Sequence, residues 1–393
     1  MPDRPERPER PERPDLAGLG FETRAVHGGG GPDPATGAVN TPVYLSSTFE
    51  QDGVGRDRGF EYARSGNPSR ASLEAHLALL EGAGFGFAFA SGMAAEDAVM
   101  RLLGPGDHLV MPTDSYGGTF RLATQVHRRA GLEVDAEDLS RLEDAFRPRT
   151  RMVWVETPTN PLLNVIDIAA VCELAHGRGA YVVVDNTFAT PWLQQPLHLG
   201  ADIVVHSTTK YLGGHSDVIG GFAATDDPDL AQRLGFIQNA AGAVPGPLDC
   251  YLVQRGVMTL PVRMERHCSN ALAVVDLLRG HGAVRSVLHP SLPGHPGHDI
   301  ARRQMRGFGG MVSFTLRGGE EAALELCTRT RIFTLAESLG GVESLIEHPA
   351  RMTHAATAGS SNEVPADLVR LSVGLEAADD LVDDLDRALA PLR

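Results

Sequence analysis

The sequence predicts an α/β fold with a mostly parallel sheet, followed by a smaller α+β region. The first observation is that short apolar runs alternate with longer helical patterns from residue 85 onward. Nearly continuous apolar strands between helices are typical of a sheet that is covered on both faces. The second observation is that this alternation ends near residue 255, where a long helical pattern precedes mixed strands and helices. A chain of 393 residues is long enough for two such regions.

Six strands are expected in the first region. They cover residues 85–90, 108–111, 152–156, 181–185, 203–206 and 220–223. The helical patterns of the whole chain cover residues 94–103, 119–129, 168–178, 250–278 and 378–389, and a further strand is expected over 311–316.

The amino terminus differs from the rest of the chain. Residues 3–14 repeat Arg-Pro-Glu, and proline and charge together oppose helix formation and burial. We therefore expect a disordered tail over residues 1–20, with ordered chain from Phe21. The remaining chain is divided into an arm over residues 21–60, a main domain over 61–254 and a C-terminal domain over 255–393.

Composition and charge exclude several classes of protein. The net charge is −15, which disfavours binding to nucleic acid or to an anionic membrane surface. The four cysteines form no C-x-x-C pair, as is usual for reduced thiols in a cytosol. No apolar segment approaches membrane-spanning length, and the polar N-terminus lacks a secretory signal. A cytoplasmic protein is expected.

Two strand ends carry reactive side chains. In such sheets, ligands bind beyond the carboxyl ends of the strands. Asp185 ends an apolar strand, and a protonated pyridine nitrogen would balance its charge, although metal ligands and helix caps look the same. Lys210 follows another apolar strand, and desolvation there would make its amine a nucleophile.

Further strand ends supply groups for an anion and a planar ring. The turn at Gly92 and Met93 leads from a strand directly into a helix, and helix starts bind phosphate. Ser207 and Thr209 alternate beside the lysine and offer hydroxyl donors. Tyr116 follows the second strand. In this position its ring could stack on a flat ligand, and its phenol group could transfer protons. Because each of these residues follows a strand of the same sheet, we expect all of them to lie around one crevice.

The sequence predicts neither a metal site nor a nicotinamide-binding site. His289, His295 and His298 lie in a Pro/Gly loop without a helical pair or an acidic partner, so no metal site is predicted. The glycines over residues 28–31 lack the G-x-G-x-x-G spacing that a nicotinamide-dependent dehydrogenase would need.

Together, four segments resemble the Cys/Met-metabolism family of enzymes that depend on pyridoxal phosphate (PLP). They cover residues 61–68, 91–93, 184–188 and 206–217. The resemblance extends from about Phe21 to the C-terminus. It implies the PLP-dependent transferase (aspartate aminotransferase-like) fold, with a seven-stranded sheet and a smaller C-terminal domain, and it makes 61–254 the PLP-binding domain.

The resemblance also assigns roles at the cofactor. Lys210 would bind the PLP aldehyde and act in catalysis, Asp185 would pair with the pyridine nitrogen, and Tyr116 would stack on the ring. The neighbouring subunit would supply two phosphate contacts, so the resemblance implies a homotetramer built as a dimer of dimers. The phosphate contacts would be Gly92, Met93, Ser207 and Thr209 from one subunit, with Tyr62 and Arg64 from the other.

On the substrate side, Arg370 would hold the amino-acid carboxylate, and Asn160 would contact both ring and carboxylate. Glu337 and Ser338 would bind substrate, with Glu337 facing a distal amine. This carboxylate argues against a methionine γ-lyase. Position 118 does so as well, because it is glycine here and cysteine in methionine γ-lyases.

The resemblance implies the cystathionine γ-synthase reaction, in which cysteine replaces the acyl group of O-succinyl- or O-acetylhomoserine. The alternative is the cystathionine γ-lyase reaction. A non-catalytic binding module is more remote, because such a module would be expected to lose Lys210 or Asp185.

Overall fold

The computed structural model describes residues 15–354, 359 and 363–392. The Arg-Pro-Glu repeat lies outside the described residues, and so does most of the tail expected to be disordered. Helix α1 begins at Phe21, where the ordered chain was expected to start. A single 3-10 turn, Leu16–Gly18, precedes it. The four cysteines are all in the described part of the chain and form no disulfide.

The predicted seven-stranded, mostly parallel sheet is confirmed. Its order is β1-β7-β6-β5-β4-β2-β3; the strands from β6 to β3 are parallel, whereas β7 is antiparallel to both β1 and β6. Strand β3 was missed because its alternating acidic residues, at the edge of the sheet, do not form an apolar run. The strands are β1 Phe85–Phe89, β2 His108–Pro112, β3 Glu133–Glu137, β4 Thr150–Glu156, β5 Tyr181–Asp185, β6 Ile203–Ser207 and β7 Gly221–Thr225.

Helices cover both faces of this sheet. Asn67 and Ser91 cap α2 and α3 by accepting main-chain N–H groups, which fixes where these helices begin. Apolar clusters fill the space between sheet and helices on each side. In the described chain, the helices are α1 Phe21–His27, α2 Pro68–Glu81, α3 Gly92–Met100, α4 Gly117–Arg121, α5 Leu142–Ala145, α6 Ile168–His176, α7 Thr190–Leu193, α8 Pro228–Ala241, α9 Pro247–Val257, α10 Leu260–Gly280, α11 His298–Gln304, α12 Gly319–Arg329 and α13 Ala378–Leu389.

Two helical patterns differ from expectation. The pattern over 250–278 is two helices, α9 and α10, because Pro261 lacks the N–H of a helix interior and occupies the first turn of α10. The pattern over 119–129 begins as α4 and continues as a π-helix, Leu122–His127. The proposed domain boundary at residue 254 lies inside α9, and the division stays a prediction.

A second sheet of five strands has the order β10-β11-β12-β9-β8 and packs against α10, α12 and α13. Of these elements, β9, α13 and most of α10 were predicted from the sequence, and β9 and α13 have the expected bounds. None of the helices in the described residues has the length and apolar character of a bilayer span. The strands are β8 Val284–Leu288, β9 Met311–Leu316, β10 Thr334–Leu335, β11 Leu345–Glu347 and β12 Leu368–Ser372.

Candidate active site

A cavity of about 290 Å³ lies beyond the carboxyl ends of the parallel strands. It brings together all of the predicted site residues except Tyr62 and Arg64. The predicted residues that line it are Gly92, Met93, Tyr116, Asn160, Asp185, Ser207, Thr209, Lys210, Glu337, Ser338 and Arg370.

One corner of the cavity is built for an anion. Ser91 Oγ accepts the N–H of Ala94 at 3.1 Å, so α3 begins at Gly92 and directs its free amides towards the cavity. A Cβ on Gly92 would lie 2.9 Å from Ser207 Cβ, so glycine lets the helix start approach the end of β6. The Thr209 hydroxyl stands beside them. Helix amides and hydroxyls in this arrangement suit a phosphate group.

The amine of Lys210 lies between the anion corner and the second sheet. Its Nζ donates to Ser338 Oγ at 2.7 Å. Burial and, after it, the positive charge of Arg370 together lower the pKa of Lys210 to about 8, while the charges of Glu347 and Glu337 oppose the shift. With this pKa, roughly a tenth of the molecules carry a neutral, nucleophilic amine at pH 7.

We expect acylation of Lys210 in the cofactor-free protein to rise about tenfold per pH unit up to pH 8 and to level off above it, because only the neutral amine reacts. The measurement is a brief pulse of acetic anhydride, followed by mass spectrometry of the peptide that contains residue 210. In the unfolded protein the same rate should keep rising towards pH 10. A folded protein that behaves like the unfolded one would contradict the lowered pKa of Lys210.

The opposite side of the cavity is acidic. Burial raises the pKa of Asp185, and the N–H of Thr187, which donates to Oδ1 at 2.9 Å, opposes the rise. Burial and, after it, the charge of Asp185 together raise the pKa of Glu96 to about 8. A cation beside Asp185 would compensate for its burial. The cavity therefore fits a ligand with an anionic group, a basic nitrogen and an aldehyde that an amine can attack.

Arg370 defines the substrate side of the cavity. Its Nη1 donates to Asn160 Oδ1 at 2.8 Å and lies 3.0 Å from Glu347 Oε1, and its Nη2 donates to the carbonyl oxygen of Ser338 at 2.9 Å. Both Arg370 and Glu347 are buried. The guanidinium is therefore held in place on three sides, as bidentate recognition of a carboxylate requires.

Glu156 is a site residue that the sequence reasoning missed. It ends β4 beside Asp185 in the register, and its carboxylate accepts the N–H groups of Tyr116 at 2.7 Å and Asn160 at 2.8 Å. It thus fixes two residues that line the cavity. The signal was present, because Glu156 ends an apolar strand in the same way as Asp185 does.

The number of lysines is a second signal that the sequence reasoning missed. Lys210 is the only lysine in the sequence, although Lys and Arg together number 35. The chain therefore has one side-chain amine, and that amine lies in the cavity.

Tyr62 and Arg64 lie outside the cavity of their own chain. Arg64 Nη1 donates to the carbonyl oxygen and to Oδ1 of Asn239, at 2.7 and 2.9 Å. Tyr62 is about half exposed. A single chain therefore does not bring these two residues to the anion corner.

The chain is similar to known proteins along almost its whole length. The family model described as "Cys/Met metabolism PLP-dependent enzyme" matches residues 22–390. Cystathionine γ-synthase of Mycobacterium tuberculosis is 62% identical over 94% of this chain and 97% of its own length, and cystathionine β-lyase of Lactococcus lactis is 50% identical over 94% and 98%. The crystal structure of cystathionine γ-synthase from Xanthomonas oryzae in complex with cystathionine is 46% identical, with a TM-score of 0.93 over 95% of this chain and 98% of that one.

Proposed function

Because the chain belongs to the Cys/Met-metabolism family of PLP-dependent enzymes, we propose that it makes cystathionine from cysteine and an O-acylhomoserine. The family and the PLP cofactor, both expected from the sequence, are confirmed. The observation that carries the proposed reaction is the 62% identity to a cystathionine γ-synthase over nearly the full length of both proteins. The alternative is cleavage of cystathionine, since lyases of the family are also close relatives.

We propose the following roles for the residues that line the cavity. Bound PLP would act as an electron sink for charge that develops at the substrate Cα. Lys210 would hold the cofactor until substrate arrives. Its free amine would then take the Cα proton and, once it has released that proton again, a Cβ proton. Ser338 Oγ, 2.7 Å from Nζ, would direct that amine, and Arg370 would bind the substrate carboxylate.

The mouth of the cavity favours a substrate with a charged distal end. The carboxylate of Glu337 lines the cavity from an exposed position, where it would attract the distal amine of cystathionine. A Cβ at position 118 would lie 2.4 Å from Tyr116 Cε1 and 2.9 Å from Met93 Sδ. A cysteine at this position would displace the tyrosine ring, which argues against the arrangement of a methionine γ-lyase.

We further propose that two subunits share each active site. Ile219 lines the cavity although it is 65% exposed, so the cavity wall is incomplete within one chain. Tyr62 and Arg64 of a second subunit would complete the anion corner, and two such dimers would form the expected tetramer. We retain the cytoplasm as the expected location.

The proposed reaction is tested by product analysis of the PLP-loaded protein. We expect O-acylhomoserine with cysteine to give cystathionine faster than cystathionine alone gives any keto acid. The matched blank is the same protein without added cysteine.

Two other outcomes would replace the proposal. Faster release of 2-oxobutanoate and cysteine from cystathionine would identify a γ-lyase. Faster release of pyruvate and homocysteine would identify a β-lyase.

A further inference from the structure

A turn over residues 159–164, the Asn160 turn, follows β4 and contacts the second sheet at two points. Ser313 Oγ, in β9, donates to the carbonyl oxygen of Pro161 at 2.7 Å. Arg370 Nη1, in β12, donates to Asn160 Oδ1 at 2.8 Å. The position of this turn therefore decides where the Asn160 amide stands relative to the guanidinium on the substrate side of the cavity.

The two ends of the Asn160 turn are held by one carboxylate, that of Asp114. Asp114 Oδ2 accepts from Thr159 Oγ1 at 2.5 Å and from Asn164 Nδ2 at 2.6 Å. Thr159 Oγ1 also accepts the N–H of Asn164 at 2.9 Å. Asp114 does not line the active-site cavity; it lines a second cavity, together with Asn164. The carboxylate thus acts on the turn from the side away from the substrate.

The Asn160 turn contains a residue in an unfavourable conformation. Leu163 has a φ of 59°, in the left-handed region that residues with a Cβ rarely adopt. Such a conformation persists only where the surrounding contacts enforce it. Asp114 supplies two of these contacts, one at each end of the turn. Without them, we expect the turn to relax and Asn160 to move relative to Arg370.

The ionisation of Asp114 strengthens its hold on the turn. Burial raises the pKa of Asp114, and the hydrogen bonds from Thr159 and Asn164 oppose the rise because they favour the charged form. Hydrogen bonds to an ionised acceptor are stronger than those between neutral groups. The carboxylate is therefore a firm attachment point for the two donors.

A second carboxylate joins the same two segments of the chain within the cavity wall. Asp114 lies two residues before Tyr116. Glu156 accepts the N–H groups of Tyr116 and Asn160, and so fixes the main chain of both. Asp114 fixes the remainder of the turn that follows. With both carboxylates in place, the Asn160 amide is directed towards Arg370.

We propose that Asp114 is a positioning residue that, by holding Thr159 and Asn164, keeps the Asn160 amide against Arg370 and so sets the affinity of the site for an amino-acid carboxylate. Asp114 itself does not touch the substrate. This inference rests on the proposed role of Arg370 as the carboxylate-binding group, and it is independent of which reaction the enzyme catalyses.

The test compares L-alanine with L-alaninamide, which carries a neutral amide in place of the carboxylate. Each is titrated into the PLP-loaded protein, and binding is followed by the absorbance of the cofactor. For Asp114→Ala we expect the Kd for alanine to rise about tenfold, as is usual when a group that orients a binding residue is lost, and the Kd for alaninamide to rise less than about threefold. Equal weakening of both ligands, or of neither, would overturn the inference.

Two further variants separate the hydrogen bonds of Asp114 from its charge. Asp114→Asn keeps an oxygen that accepts from Thr159 and Asn164, so its Kd for alanine should stay within about threefold of that of the unchanged protein. Asp138→Asn removes the charge of an exposed carboxylate that acts on Asp114, and it should leave both Kd values unchanged. A rise in the Kd for alanine in Asp138→Asn as large as in Asp114→Ala would show that charge, and not the position of the turn, is what matters.

A reference variant separates this inference from the proposed role of Arg370. Arg370→Ala should weaken the binding of alanine much more than that of alaninamide. If it does not discriminate, the role of Arg370 is wrong; if it does and Asp114→Ala does not, only the role of Asp114 fails. Should Asp114→Ala not fold, as judged by its thermal unfolding, Thr159→Val is measured in its place, because it removes the hydroxyl donor at nearly equal volume, with the same expected selectivity.

Discussion

Replacing Lys210 by alanine should lower turnover by at least about 10⁴-fold, since both the covalent attachment of the cofactor and the proton transfer are lost. The fold should survive, because within the described residues the lysine amine donates one hydrogen bond, to Ser338, and takes part in no ion pair. The measurements are steady-state product formation and a thermal unfolding curve of the same preparation.

The single lysine makes the accompanying labelling experiment unambiguous. Borohydride reduction of the PLP-loaded protein should fix the cofactor to Lys210, and the Lys210→Ala protein should retain no label on a side chain. The control is Arg279→Lys, which adds an exposed amine far along α10 and should stay active with label at residue 210. Turnover of Lys210→Ala within tenfold of the unchanged protein would remove this residue from catalysis.

Replacing Arg370 by alanine should have two effects of different origin. Loss of the carboxylate contact should lower kcat/KM for every amino-acid substrate by about 10²–10³-fold, as for a buried charged hydrogen bond. Loss of its partner leaves Glu347 buried and unpaired, which should reduce the free energy of unfolding by about 3–5 kcal/mol. Kinetics with two substrates and denaturant unfolding measure the two effects separately.

The pH dependence of the stability loss in Arg370→Ala follows from the carboxyl group of Glu347. Burial raises the pKa of Glu347 and Arg370 lowers it, so removing the arginine should raise this pKa further. A carboxyl whose pKa is higher in the folded than in the unfolded protein costs stability when ionised, and this cost disappears as the pH falls. Arg370→Ala should therefore lose less stability at pH 5 than at pH 8.

The double variant Arg370→Ala, Glu347→Gln separates the two effects. It should regain most of the stability, because no buried charge remains, but none of the lost kcat/KM. Recovery of activity in the double variant would show that Arg370 acts on the fold and not on the substrate.

The sequence predicted the central sheet well because its inner strands are buried on both faces. Such strands are apolar along their whole length, so a polar residue at a strand end, such as Asp185, stands out. Edge strand β3 could not be found in this way, because charged residues alternate along it. The break between α9 and α10 was also missed, although Pro261 is a local signal that could have located it.

The supporting groups of the site were much less accessible to sequence reasoning. Glu96 lies within a helix, and only tertiary packing brings it into the wall of the cavity. Helical periodicity gives no reason to distinguish it from a surface carboxylate. The assignment of Tyr62 and Arg64 depended entirely on the family resemblance, because their proposed contact is between two chains.

The position of the single lysine also offers a way to follow opening of the whole molecule. A protease that cuts only after lysine has one possible target, the peptide bond between residues 210 and 211. That bond is packed against Gly340, where even a Cβ would come within 3.0 Å of the Lys210 carbonyl carbon. The native chain should resist cleavage at this bond. Each molecule can be cut only once, so the rate at which two fragments appear would report how often this core opens.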